Sequence, residues 1–143
     1  MPQFPHEEVS FESGINVRFT IYDSNNDYIP EHWHRSMEVI YIYEGSMELT
    51  EGQRVLLLNA GDYHVVNSTA IHATRTTTAS RVLLLQIPYA FLTGTIPEYE
   101  NIRFLFSHRH PSADEQIREI LTSMGKLYTE KPQSYTLRFS GLL

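Results

Sequence analysis

The sequence predicts a mainly β protein: an antiparallel barrel or sandwich of about eight strands, followed by a pair of C-terminal α-helices. Three observations predict it. Segments rich in β-branched and aromatic residues recur at intervals of about 8–12 residues as far as Ile87, many with the alternation of a half-buried strand. Turn chemistry punctuates them, in Asp23-Ser24-Asn25-Asn26-Asp27, Gly45-Ser46, Glu51-Gly52 and Asn59-Ala60-Gly61-Asp62. After Pro88 the apolar period changes to that of a helix.

Ile15 to Ile21 alternates strictly and reads as the first strand. Tyr28 to Trp33 reads as a second, with Pro30 pushing it towards an edge. Glu38 to Tyr43 is a β-branched and aromatic strand. Met47 to Thr50, Arg54 to Leu58 and Tyr63 to Val66 follow, then the Thr-rich His72 to Thr78. Arg81 to Ile87 is a continuous apolar run, as expected of a strand buried on both faces. Tyr89 to Pro97 reads as a helical turn and loop, and Tyr99 to Phe106 as an edge strand. Ser112-Ala113-Asp114-Glu115 has the pattern of a capping box. Behind it Ile117, Ile120, Leu121, Met124, Leu127 and Tyr128 share one helical face. Lys131-Pro132 stops that helix, and a second starts near Ser134. The expected division is a barrel over 1–92, then a linker and helices over 93–143. The chain stops on Leu142-Leu143 within an amphipathic helix, so a longer natural protein is expected.

Composition narrows the function. The chain has 143 residues, enough for one domain with a real core. No apolar run approaches the ~20 residues of a membrane helix, and Met1 to Glu8 lacks the features of a secretory signal. There are no cysteines, which excludes disulfides and thiolate chemistry and agrees with an expected cytoplasmic location. A formal charge of −6, with scattered Lys and Arg, argues against nucleic-acid binding by this domain's own surface.

One stretch concentrates metal-binding chemistry: His32-Trp33-His34-Arg35-Ser36-Met37-Glu38. His32, His34 and Glu38 share strand parity. In one straight strand, however, the Cα atoms of His34 and Glu38 would lie about 13 Å apart. Ligands of one ion sit ~2.0–2.2 Å from it, so the chain must turn at Arg35-Ser36-Met37. His72 must then arrive from a neighbouring strand. Three imidazoles and a carboxylate suit Zn²⁺, Ni²⁺, Mn²⁺ or Fe²⁺, with one or two positions open. Ile40 and Ile42 share the face of Glu38, while Tyr41 and Tyr43 face the other way, so the lining near the cluster should be partly apolar. His64 is a spare ligand only if the register shifts by one, and otherwise a pocket or surface histidine. Trp33 points away, towards the helices or the N-terminal segment. His108-Arg109-His110 reads as a solvated linker.

The spacing resembles the cupin family. His32-x-His34, three residues, Glu38, six residues, Gly45 matches the second half of its first motif, and Asn26 stands where that motif begins with glycine. Counting on from Gly61, the second motif places its histidine on His72, with Asn67, Thr69 and Thr76 in place of its Pro, Gly and Asn. The resemblance implies a double-stranded β-helix, or jelly roll, whose metal ligands are His32, His34, Glu38 and His72. From about residue 10 onward, the chain is also similar to the sensor half of AraC-type transcription regulators. Asn59-Ala60-Gly61-Asp62, Gln86-Ile87-Pro88-Tyr89-Ala90-Phe91-Leu92 and the two helices carry that likeness. It implies a barrel that binds a small effector, in that family often a sugar, through His32, His34, Glu38, Ile40, His64 and His72. It further implies a homodimer formed by the helices, and DNA contacts made only by a C-terminal domain absent from this chain. The expectation is therefore a sensor and no enzyme. The alternatives are a stand-alone metal-dependent cupin enzyme, a dioxygenase or isomerase, and a cupin that binds an organic effector without metal.

Overall fold

The computed structural model describes residues 3–11, 14–105 and 111–143. His108-Arg109-His110 lies outside the described residues. Eight strands run in order: β1 (Arg18–Ser24), β2 (Asp27–His32), β3 (Met37–Glu44), β4 (Ser46–Glu51), β5 (Arg54–Asn59), β6 (Tyr63–Val66), β7 (His72–Thr76) and β8 (Ser80–Ile87). Helices α1 (Tyr89–Thr95), α2 (Pro111–Glu130) and α3 (Tyr135–Leu142) follow, with a 3-10 turn at Tyr99–Asn101. The strands form two antiparallel four-stranded sheets, β1-β8-β3-β6 and β2-β7-β4-β5. This is the expected β-barrel followed by helices.

Strand parity divides the core in two. On β3, Ile40 and Ile42 point between the sheets and join Met47, Leu49, Leu58, Val66 and Val82. Met37 and Val39 point the other way, with Leu83, Leu85 and Ile87 of β8, and pack under Leu121, Met124, Leu127 and Phe139 of the helices. Tyr41 and Tyr43 lie on that outer side too. Strand β8 is thus covered on both faces, which explains its apolar run from Val82 to Leu85. Phe139 is fully buried and meets Phe19 edge-on, with ring centroids 5.0 Å apart. Burying such a side chain stabilises the docked α3 by about 1.5–3 kcal/mol. The start of α2 is fixed by the Tyr63 hydroxyl, which donates to Asp114 Oδ1 at 2.6 Å, and by Arg118 Nε, which donates to the Gly61 carbonyl at 2.7 Å.

Several elements depart from the sequence-based expectation. Hydrogen bonding of β1 begins at Arg18, although Ile15 and Val17 keep the alternation and are buried. Residues 99–101 form a 3-10 turn, and 102–105 pair with no strand. There Tyr99 is buried against Tyr89, and its hydroxyl meets Ser68 at 2.7 Å. Side-chain anchoring replaces ladder bonds. The helix α2 begins at Pro111, so Ser112 lies inside its first turn and cannot be its N-cap. Proline is favoured at the first helical position because the N–H it lacks would have no helical partner. Ile120, expected on the buried stripe, is 39% exposed at its margin. Edge strand β5 exposes Val55 and Leu57, because the helices cover only the other sheet.

Gly125 has a packing reason. A Cβ there would overlap the Tyr43 hydroxyl and approach Ile21 Cδ1 at 3.3 Å. The helix gives up about 1 kcal/mol of propensity relative to alanine so that α2 can lie close to the sheet.

Candidate metal centre

The corner demanded by distance is present. Strand β2 ends at His32, residues 35–36 bend, and β3 opens at Met37. His32 and His72 are register partners across β2 and β7, so His72 arrives from the neighbouring strand. The turn that delivers it is held by the Thr69 N–H, which donates to the His34 carbonyl at 2.8 Å. Thr69 has φ 66°, the left-handed conformation that favours glycine. Asn26, the other stand-in for a motif glycine, has φ 54°.

One nitrogen from each of His32, His34 and His72 lies within 4.8 Å of the others. The Nδ1 atoms sit 2.8 Å from the Pro30 carbonyl, 2.9 Å from that of Ser36 and 2.9 Å from that of Ala70, respectively. A carbonyl oxygen only accepts, so each Nδ1 carries the hydrogen. In the neutral tautomer each Nε2 then presents a lone pair. Carbonyl anchoring of this kind fixes tautomer and ring angle in metal-binding histidines. Between the rings sits Glu38, buried, with Oε2 2.9 Å from His34 Nε2 and Oε1 3.7 Å from His72 Nε2. With each Nδ1–H already committed, a proton or a cation must lie between these acceptors. His72 Nε2 has no hydrogen-bond partner among the described residues. The three imidazoles therefore form a group that fits a divalent transition metal, with the Glu38 carboxylate beside His34 and His72 as the further donor that would join them.

Charge follows from the same contacts. Burial alone would raise the pKa of the Glu38 carboxyl, but the imidazoles of His34, in hydrogen-bond contact, and of His72, 3.7 Å away, reverse this and hold it well below the usual carboxylate range. Burial pulls the His72 imidazole down, yet Glu38, the Ala70 carbonyl and Glu51 leave it above its ordinary value. Burial, with Glu38 and Asp27 nearby, pushes the Tyr22 phenol up to about 12.

Beside the cluster lies a cavity of about 310 Å³, lined among others by Tyr22, Ile29, Ile40, Thr74 and Leu84, and reached by Glu7, Arg18 and Gln86. Ile40 thus sits where a bound molecule would touch it. His64, the register partner of Ile40, is buried with Nε2 3.7 Å from Glu51 Oε2, and Glu51 is in turn the register partner of His72. Trp33 is covered by the N-terminal segment: its Nε1 donates to the Phe4 carbonyl at 3.2 Å, and its ring meets that of His6 at a tilt of 47°, centroids 4.5 Å apart.

Two residues at the centre escaped the sequence reading. Gln86 is buried and donates from Nε2 to Glu38 Oε2 at 2.9 Å. Its one signal is a polar side chain inside the apolar run of β8, on the face of Leu84. Glu7 brings Oε2 to 3.6 Å from His32 Nε2 and 3.9 Å from His34 Nε2. No local pattern marks it.

Residues 19–88 match the family model of the cupin domain. Over that stretch the barrel is similar to the cupin domain. Solved structures resemble it at low identity. A cupin-2 domain containing protein from Shewanella frigidimarina is 17% identical over 49% of this chain and 69% of its own, with a TM-score of 0.46. The TT1209 protein of Thermus thermophilus is 23% identical over 55% of this chain and 77% of its own, with a TM-score of 0.49. The DMSP lyase DddQ of Ruegeria pomeroyi is 26% identical over 51% of this chain and 39% of its own, with a TM-score of 0.46. Comparison with curated protein sequences finds no match. Among the described residues, no helix is long and apolar enough to cross a membrane.

Proposed function

We propose that this cupin-like domain is the ligand-sensing part of an AraC-type transcription regulator, holding a divalent metal and binding a small effector in the adjoining cavity. The observation that carries the reading is the two-sidedness of β3 and β8. Glu38, Ile40 and Gln86 face the metal centre, while Val39 and Leu85, next to them in the chain, face the helices. A displacement of β3 caused by a ligand on one face reaches α2 on the other. Beside this packed contact, a crevice of about 370 Å³, lined in part by Val65, Ile117 and Met124, opens between part of α2 and the sheet. The cavity's mix of apolar walls and few polar groups suits a small molecule such as a sugar. Exposed Ile120 on α2 and Leu137 on α3 offer apolar area for a homodimer. The metal would fix the position of an oxygen-bearing ligand, and the protein would act by binding, without turnover. DNA contacts would come from a further C-terminal domain.

The coding sequence beyond Leu143 tests the regulator reading. A basic, helix-rich extension of about 100 residues is expected. A stop codon after Leu143 would contradict it.

The second reading, a metal-dependent cupin enzyme, draws on one observation. Glu7 places a second carboxylate beside the histidines, where an acid–base group would be needed. Turnover of small hydroxylated substrates by the metal-loaded protein would favour this reading over the sensor.

A further inference from the structure

The N-terminal segment crosses the mouth of the site as a short strap. The Glu7 N–H donates to the Trp33 carbonyl at 2.9 Å, and the Trp33 N–H to the Pro5 carbonyl at 3.1 Å. These bonds, with the parallel bridge between His6 and Trp33, fix the strap to the residue between His32 and His34. Glu7 is thereby placed over the cluster. Its two oxygens have different surroundings. Oε1 lies 3.5 Å from Arg18 Nη1 on the half-exposed side. Oε2 is turned inward and buried, with no hydrogen-bond partner among the described residues. A buried carboxylate oxygen without a donor is costly, by about 1–3 kcal/mol or more. Here it is aimed at imidazole nitrogens.

We propose that Glu7 is itself a ligand of the cation held by His32, His34, Glu38 and His72, the second carboxylate of a five-residue set. The proposal rests on the metal reading of the cluster. The distances of Glu7 to two of the imidazoles support it. Donors sharing an ion at ~2.0–2.2 Å lie about 2.8–4.4 Å from one another, depending on the angle between them. Glu7 Oε2 is 3.6 Å from His32 Nε2 and 3.9 Å from His34 Nε2. Glu38 meets His34 and His72 at 2.9 and 3.7 Å, the same range. Charge supports it too. Three neutral imidazoles and Glu38 leave a divalent ion with one uncompensated positive charge in a largely buried site, and Glu7 neutralises it. Ligation by Glu7 would also tie the strap down, so that metal binding and closure of the mouth are one event.

Co²⁺ titration of the whole chain tests this, read by affinity and by the visible ligand-field bands. Glu7→Gln keeps the shape and removes the charge. The expected result is a loss of affinity of at least the ~10-fold that an outer partner costs, with shifted bands. Glu8→Gln, an exposed neighbour with the same change in charge, should alter neither. Melting curves of the metal-free variants check that each still folds cooperatively, so that a lost affinity is not a lost fold. If the wild type binds Co²⁺ and Glu7→Gln matches it, the proposal falls and the metal centre stands. If affinity drops while the bands stay unchanged, Glu7 acts only as a nearby charge and ligation is refuted. If the wild type binds no Co²⁺, the metal reading falls and takes this proposal with it.

Discussion

Replacing Gln86 by leucine separates the metal centre from the fold that carries it. The Gln86 amide donates to Glu38 Oε2 at 2.9 Å, while its own Oε1 is buried with no hydrogen-bond partner among the described residues. The carboxylate can only accept, so this orientation of the amide follows from chemistry. Gln86→Leu removes a hydrogen bond to a charged group, a loss of about 1.5–3 kcal/mol. It also removes an unsatisfied buried oxygen, which returns about 1–3 kcal/mol. The two nearly cancel, so the metal-free variant should unfold in urea within about 1 kcal/mol of the wild type. Metal affinity should not be spared. Glu38 would lose a donor that holds its Oε2 in place beside His34, and loss of such an outer partner costs about 10–100-fold. Urea melts of the metal-free proteins and competition with a chelating dye give the two numbers. An unchanged affinity would refute the orienting role of Gln86. A stability loss above about 3 kcal/mol would show that the cancellation argument is wrong.

Other outcomes follow from the same contacts. In the metal-free protein, the raised His72 value contributes stability that is full below its unfolded pKa of ~6.5 and is lost as pH rises through the folded value. The lowered Glu38 value contributes stability present above its unfolded pKa of ~4.3 and lost as pH falls. The stability difference between wild type and Glu38→Gln should therefore peak between these two pH values, and a flat difference in urea melts would contradict the pairing. Gly125→Ala should be better tolerated in a Tyr43→Phe background than in the wild type, because the obstructing hydroxyl is gone; additive effects in a double-mutant cycle would refute the contact. Thr69→Gly should stabilise by up to about 1 kcal/mol, since relief of left-handed strain of roughly 1–2 kcal/mol exceeds the chain entropy glycine adds. A loss in the thermal melt would mean that the Thr69 side chain contributes more than its backbone costs.

Much of the barrel was legible because strand burial has a period of two. The alternation of β3 and β4, the double-sided burial of β8 and the turn clusters each left local traces. The corner between His34 and Glu38 followed from distance alone, because the separation possible along a strand is fixed by geometry. What escaped reading depends on contacts distant in sequence. Glu7 reaches the histidines only because the strap pairs with Trp33. Gln86 meets Glu38 only through the β3–β8 register. The pairing of His64 with Glu51 needs the barrel to close. Local rules also misled at the margins. Residues 99–105 look β-prone, but side-chain anchoring at Tyr99 holds them without a ladder. Ser112 resembles a cap, but Pro111 already begins the helix.

The claim on which the account rests is that His32, His34, His72 and Glu38 bind a divalent ion. The direct measurement is the metal content of wild type and His34→Ala after separate incubation with Zn²⁺, Ni²⁺, Mn²⁺ and Fe²⁺ followed by dialysis. The account predicts about one ion per wild-type chain for at least one of these metals, and its loss in His34→Ala, with the wild type gaining thermal stability as binding is linked to folding. A wild type that retains none of the four and shows no change in melting temperature would contradict it.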